Sequence, residues 1–319
     1  MTPKSTLPPR LRPGARVALI APSGPLLEHD HLVRATELCH ALDFEPIIMP
    51  NAGGVHGYLA GTDTERLADL NAALTDPAVD AVWCLRGGNG LNRILDRVDF
   101  AGFAAHPKPV IGYSDITVLL LGLLRETGVV TFHGPMARFA MPEFARHHFD
   151  LVLSNPFPAG ELGRIRSDLG VVVADRGRIV TVIPGRATGT LVGVNLTLLQ
   201  ALIGTRYFPD LNGAILFLED TGEDLYRIDR MLGHLQMVGA LSALSGVAIG
   251  RFSRMRHATF EGAFGLDHVL RSYFEPLHIP VAHGFPIGHI PEQWTLPIGI
   301  TATLDATSGT LSLLEAAVR

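Results

Sequence analysis

Short apolar runs alternate with amphipathic segments through the first half of the chain, and this alternation limits the fold more than any other feature. Arg16-Val-Ala-Leu-Ile-Ala21, Glu45-Pro-Ile-Ile-Met49, Ala81-Val-Trp-Cys-Leu85, Pro109-Val-Ile111 and Gly128-Val-Val-Thr-Phe132 read as strands. Between them the pattern predicts helices over 29–42, 62–74 and 115–126, with one more after the glycines at 87–90. In the helix from Thr62, polar residues can cap the start, and Leu67, Leu70 and Leu74 share a face. Strands separated by helical segments imply a parallel, doubly wound α/β sheet.

From about Met141 to Pro184 the pattern weakens, and only Val171-Val-Val-Ala174 and Ile179-Val-Thr-Val-Ile183 look strand-like. The stretch reads as a linker that carries a small ribbon. The alternation then restarts. Thr188–Gly193 is a strand leading into a helix over Leu196–Leu202, and Gly213-Ala-Ile-Leu-Phe-Leu218 is a buried strand ending at Glu219-Asp220. Leu225–Val238 is helical with Ile228, Leu232 and Leu235 on one face, and Val247–Gly250, Ile279–His283, Ile298–Ala302 and Leu311–Leu314 are strands. A chain of 319 residues can hold two domains that each bury a core. The expected division is an N-terminal domain over 1–140, a linker over 141–184 and a C-terminal domain over 185–319.

Composition narrows the partners. A formal charge of −5 gives no reason to expect nucleic acid. The apolar run Val17–Ala21 is too short for a signal-peptide core or a membrane span, so no membrane association is expected. With only two cysteines, Cys39 and Cys84, a disulfide scaffold is excluded, and the cytoplasm is the expected compartment. Both read as packing residues. The sequence has no His-Glu-x-x-His and no Cys/His cluster at ligand spacing, so no metal is expected.

Chemistry concentrates at Lys108-Pro-Val-Ile-Gly-Tyr-Ser-Asp-Ile-Thr117. A strand ends in Gly112, Ser114 follows two residues later, and a helix starts at Asp115. A hydroxyl on such a turn stands clear of the backbone beside helix N-terminal N–H groups, as a nucleophile requires. The same spacing also suits a serine that only caps the next helix. The fifth position is Ile116, so this is not the Gly-x-Ser-x-Gly elbow.

A serine nucleophile needs a base and a carboxylate to orient that base. Of 14 histidines, His289 lies on a glycine- and proline-rich loop after a strand, where it can project into a cleft. His133, also just after a strand, is its rival, while His147 and His148 look solvated. Glu219 stands at the carboxyl end of an apolar strand, the edge where α/β sites gather, although it could instead pair with Arg227 or Arg230 or cap a helix. Arg86-Gly-Gly-Asn-Gly90 exposes backbone N–H groups that could cradle an oxyanion, and it fits neither the dinucleotide nor the Walker glycine pattern, so no cofactor is expected.

Taken in order, Arg86–Gly90, Ile111-Gly-Tyr-Ser-Asp115, Phe132-His-Gly-Pro-Met136, Leu216-Phe-Leu-Glu-Asp220 and Gly288-His289 resemble the LD-carboxypeptidases, serine peptidases that include the microcin-C self-immunity enzymes. Gly57–Asp63, Gly193–Thr197 and Tyr226–Leu232 add to the match, which runs from about Arg16 to Gly299. The resemblance implies a flavodoxin-like N-terminal half, a C-terminal α/β half of swivelling β/α/β type, and a site between them. It also implies Ser114 as nucleophile, His289 as base, Glu219 as orienting acid, and an oxyanion hole from the N–H groups of Gly88 and Asp115. A cytoplasmic homodimer that acts on a small peptide without a metal is the corresponding expectation.

The expected substrate is murein tetrapeptide, cleaved at the L,D-bond to its terminal D-alanine. Arg86 is the candidate for holding the terminal carboxylate. Two positions depart from the pattern: Val194 stands where a glycine is expected before Asn195, which should alter that turn slightly, and Asn89 stands where an aromatic residue is common. An alternative substrate is a peptidyl-nucleotide antibiotic, with Trp294 as a stacking platform. A different class altogether is a non-catalytic module that binds an anion on the Arg86 loop.

Overall fold

The computed structural model describes residues 5–28, 30–165, 177–256 and 262–319, and within them the chain builds two α/β sheets. Five strands of the first sheet are parallel: β1 (Arg16–Ile20), β2 (Glu45–Ile48), β3 (Ala81–Cys84), β4 (Val110–Gly112) and β5 (Thr131–His133). Their order, β5-β4-β3-β1-β2, is the doubly wound, flavodoxin-like arrangement expected from the strand–helix alternation. The helices that return the chain are α1 (His31–Ala41), α2 (Asp63–Thr75), α3 (Phe100–Ala105) and α4 (Thr117–Thr127).

Local chemistry accounts for the helix starts. Thr62 and Glu65 form a reciprocal capping box on α2, with Thr62 N–H donating to Glu65 Oε2 at 2.8 Å and Glu65 N–H to Thr62 Oγ1 at 3.2 Å. After the glycines the expected single helix is two 3-10 turns, Leu91–Arg93 and Leu95–Arg97, before α3, which Asp99 caps through Gly102 N–H at 2.8 Å. Helix α4 is apolar nearly all round, and every residue from Thr117 to Leu123 is buried. Such a helix must lie inside the protein. It packs on β4 and β5 and touches α6 of the second half (Leu196–Ala201).

The region 141–184 differs from the linker expected there. Helix α5 (Glu143–Leu153) occupies part of it, with Ala145, His148, Phe149 and Val152 on its buried face. The buried positions keep helical spacing, and reading His148 as solvated hides one of them. Strand β6 is Gly160–Glu161, and β7 (Val180–Ile183) matches the second predicted strand of the ribbon. The first, Val171–Ala174, lies outside the described residues.

The second sheet has eight strands in the order β6-β14-β13-β8-β9-β10-β11-β7. Its centre is parallel: β8 (Arg186–Asn195), β9 (Ile215–Thr221), β10 (Gly246–Ser253) and β11 (Val281–His283). Helices α7 (Leu225–Met237) and α8 (Leu266–Phe274) pack on each other, the first burying Ile228, Leu232 and Leu235. The strand expected over Ile298–Ala302 is divided by Gly299, whose φ of +107° breaks it. Strand β12 (Leu296–Ile298) runs antiparallel to β5 in the first sheet, whereas β13 (Thr301–Asp305) joins β8 and β14 (Thr310–Leu313) in the second. Among the described residues no helix is long and apolar enough to cross a membrane.

Candidate active site

The carboxyl edges of the two parallel sheets meet, and Ser114, Glu219 and His289 lie where they do. Ser114 follows β4 after one extended residue, Tyr113, and has φ of +62°. An L-residue in this left-handed region costs about 1–2 kcal/mol, and such strain persists only where the surroundings impose it. Two glycines impose it here. A Cβ on Gly112 would lie 2.8 Å from Ile116 Cγ2, and a Cβ on Gly87 would lie 2.8 Å from Ser114 Cβ and 3.0 Å from its Oγ. Ser114 caps neither helical segment that follows, because the cap positions fall on Tyr113 and Ile116. Ser114 is half-buried.

The glycine loop after β3 closes on this turn. Gly24 N–H donates to the Gly87 carbonyl at 2.9 Å, and a Cβ on Gly87 would come within 3.2 Å of Asp115 N. Gly88, at φ +124°, has no acceptor for its N–H among the described residues. The Asp115 N–H is in the first turn of a helical segment, where no intrahelical acceptor exists. The Asp115 carboxylate points the other way and ties the loops together, accepting from Ser23 Oγ at 2.6 Å and from Leu91 N–H at 3.0 Å. Burial pushes this carboxyl up from its ordinary pKa.

Glu219 is in β9, fully buried, and its Oε2 lies 2.7 Å from His289 Nδ1. It pairs with neither Arg227 nor Arg230; Arg227 lies within reach of Glu223 and Asp224 instead. Burial raises the Glu219 pKa, while contact with His289 and with Asn195 acts the other way. Asn195, at the end of β8, donates Nδ2–H to Glu219 Oε1 at 3.2 Å and to Asp220 Oδ1 at 3.0 Å. Asp220 in turn accepts from the Thr197 N–H at 2.9 Å, inside the first turn of α6. With Nδ1 held by the carboxylate, Nε2 of His289 is the nitrogen free for chemistry. His289 keeps 20 % of its side chain exposed.

The imidazole meets the Ser114 turn through Tyr113, whose ring contacts that of His289 edge-on at 4.8 Å between centroids. Ser114 Oγ and His289 form no direct hydrogen bond in this state. Serine–base contacts in free enzymes are often long and tighten with substrate.

Several other sequence candidates resolve differently. His133 is fully buried, neither ring nitrogen has a partner and burial lowers its pKa to about 3, whereas His289 is partly exposed and held by the Glu219 carboxylate, which makes His289 the better-placed base. His148, expected to be solvated, is buried. Its Nδ1 donates to the Phe144 carbonyl at 2.8 Å and its Nε2 accepts from the Gly163 N–H at 3.2 Å, so the polar ring is satisfied inside the fold. Trp294, the possible nucleotide platform, is 1 % exposed, donates to the Gly163 carbonyl at 2.8 Å and packs on Phe285, so it offers no face to a ligand. Val194 sits in regular register opposite Leu218, and the turn begins only at Asn195. Cys39 and Cys84 are buried free thiols. Arg86 is half-buried on the glycine loop and donates to the Pro25 carbonyl. Asn89 is exposed beside it. Tyr113, Asn195 and Ser23 were not singled out as functional in the sequence, although the first two lie inside the quoted motifs.

Comparison with known proteins agrees with this architecture. The profile of the LD-carboxypeptidase N-terminal domain matches residues 17–134, and that of the LD-carboxypeptidase C-terminal domain matches residues 188–304. A Bacillus subtilis protein named probable murein peptide carboxypeptidase is 35 % identical over 314 residues, which is 98 % of this chain and 95 % of that protein. The crystal structure of a muramoyltetrapeptide carboxypeptidase from Oxalobacter formigenes is similar at 32 % identity and a TM-score of 0.80, over 94 % of this chain and 98 % of the other. The wild-type apo microcin C7 self-immunity protein MccF shares the fold, with a TM-score of 0.88 at 22 % identity over 98 % of this chain and 100 % of its own. The two profiles fall one on each of the halves whose edges meet at Ser114 and His289, and the chain belongs to the LD-carboxypeptidase family of peptidases.

Proposed function

We propose that the protein is a serine-type carboxypeptidase that releases the terminal D-alanine from murein tetrapeptide, a step in peptidoglycan recycling. Ser114 is the nucleophile, His289 the base and Glu219 the acid that orients it. The observation that carries this reading is the 2.7 Å contact between Glu219 and His289 Nδ1, made from residues 70 positions apart and set beside the strained Ser114 turn. Names of relatives that act on murein peptides support the substrate class.

Ser114 Oγ attacks the carbonyl carbon of the L,D-bond while His289 Nε2 takes its proton. The negative charge that develops on the carbonyl oxygen is held by the N–H groups of Gly88 and Asp115, both on preorganised backbone. His289 then passes the proton to the amine of the departing D-alanine. Water, deprotonated by His289, attacks the acyl-enzyme, and the proton returns to Ser114 as the shortened peptide leaves. Glu219 stays ionised through the cycle and stabilises the imidazolium. Arg86 holds the terminal carboxylate of the substrate.

A cytoplasmic enzyme and a homodimer belong to the same reading; the two buried free cysteines suit a reducing compartment. Mass spectrometry of murein tetrapeptide incubated with the protein tests the reaction. The expected products are the tripeptide and free D-alanine, and an unchanged tetrapeptide contradicts it.

A further inference from the structure

The loop that follows β5 runs back across the sheet towards the loop that follows β3. Gly134 N–H donates to the Gly112 carbonyl of β4 at 3.1 Å. Trp83 Nε1–H of β3 donates to the Pro135 carbonyl at 2.7 Å, and Ala137 N–H reaches the Cys84 carbonyl at 3.3 Å. The next residue is Arg138, and two residues beyond Cys84 is Arg86. The loop after β5 has therefore passed over β4 by residue 137, and both arginines leave the carboxyl end of β3, next to the strand that carries Ser114.

Both guanidinium groups are short of partners. Arg86 donates to the Pro25 carbonyl, and neither it nor Arg138 makes an ion pair among the described residues. Arg138 is half-buried, and its Nε is enclosed with no acceptor. Its guanidinium lies over the Phe139 ring, with Cζ 3.8 Å from the centroid. The acid nearest in influence, Glu28, is 57 % exposed and already lies 3.3 Å from Arg34 and 3.5 Å from His31. Burial, and after it the charge of Arg86, lowers the Arg138 pKa.

We propose that Arg138 and Arg86 together form the receptor for the carboxylate of the substrate's terminal residue, with Arg138 the member that makes the enzyme discriminate a free carboxylate from an amide. A carboxylate has lone pairs enough for two guanidinium forks, and one anion between two underpaired cations relieves their repulsion. The assignment rests on the serine carboxypeptidase reading above, and it explains on physical grounds why cleavage is confined to a chain end.

The test compares the L,D-tetrapeptide with the same peptide ending in D-alanine amide, using wild type, Arg138→Gln and Arg138→Lys. Each enzyme gives a ratio of kcat/KM for acid over amide, so loss of active protein cancels within a variant. The wild type is expected to favour the acid strongly. Arg138→Gln is expected to lower that ratio about 10- to 100-fold, mainly through KM on the acid, with Arg138→Lys falling between. A ratio in Arg138→Gln within twofold of wild type overturns the role given to Arg138 while leaving the peptidase reading intact. A wild-type enzyme that cleaves neither peptide overturns both.

Discussion

A methyl group on Gly288 would lie 2.7 Å from Glu219 Oε2 and 2.8 Å from Glu219 Cβ, so the residue before His289 has no room for a side chain. Its φ of +110° points to the same requirement. The carboxylate fills the space that a Cβ would need, and in return it holds Nδ1 of the next residue. Gly288→Ala is therefore expected to disturb the Glu219–His289 contact directly. It should lower kcat/KM at least about 10²-fold and reduce unfolding stability by about 1–3 kcal/mol, read from steady-state kinetics and urea melts.

Ser114 poses stability against activity. Glycine adopts φ of +62° at no steric cost, whereas serine pays for it. Ser114→Gly is expected to abolish turnover, by about 10⁴-fold or more, while holding or raising unfolding stability by up to about 1 kcal/mol. Ser114→Ala should lose as much activity and keep the strain. Calorimetry of the pair checks whether the backbone at 114 is held against its own preference.

Glu219 is a charge buried at a cost, as its raised pKa shows, so its removal separates function from folding. Glu219→Gln keeps the shape, but its amide no longer imposes the tautomer and orientation that the base needs. The expected result is a fall in kcat of about 10³- to 10⁴-fold with unfolding stability within about 1 kcal/mol of wild type. Kinetics at pH 7 and denaturant melts give both numbers.

His133 predicts a pH effect on folding that is independent of catalysis. Burial, aided by the charge of His289, lowers its pKa to about 3, whereas in the unfolded chain it titrates near the ordinary 6.5. The depressed value means the unfolded state binds the proton first. The stability tied to neutral His133 is thus complete above about pH 6.5 and is lost as pH falls from there towards 3. The one-proton slope is about 1.4 kcal/mol per pH unit in that window. His133→Leu should remove this component from stability measured across pH 4–6; an unchanged slope contradicts it.

Much of the first sheet was legible because its strands are short, apolar and separated by capped helices such as α2. The Ser114 turn was legible in part: Gly112, a strand end and an apolar helix mark a turn there, but the same spacing suits a helix cap, and only the structure puts the cap positions on Tyr113 and Ile116. Helix α5 was not, since His148 sits on its buried face and is satisfied by backbone partners that no local pattern reveals. The division of the strand at Gly299 was hidden for a related reason: β12 pairs with β5, more than 160 positions earlier, and only tertiary structure decides which sheet it joins. The contacts of Asn195 and the role proposed for Arg138 were equally invisible. One orients two acids from another strand, and the other depends on a loop crossing three strand ends.

The central claim is that Ser114 and His289 act as one unit on a peptide carbonyl. The most direct measurement is kcat/KM on murein tetrapeptide for wild type, Ser114→Ala, His289→Ala and the double variant. Groups that act together lose nearly everything with the first removal, so the double variant is predicted to fall within about tenfold of either single one. Losses that instead multiply, or a Ser114→Ala enzyme within tenfold of wild type, contradict the account.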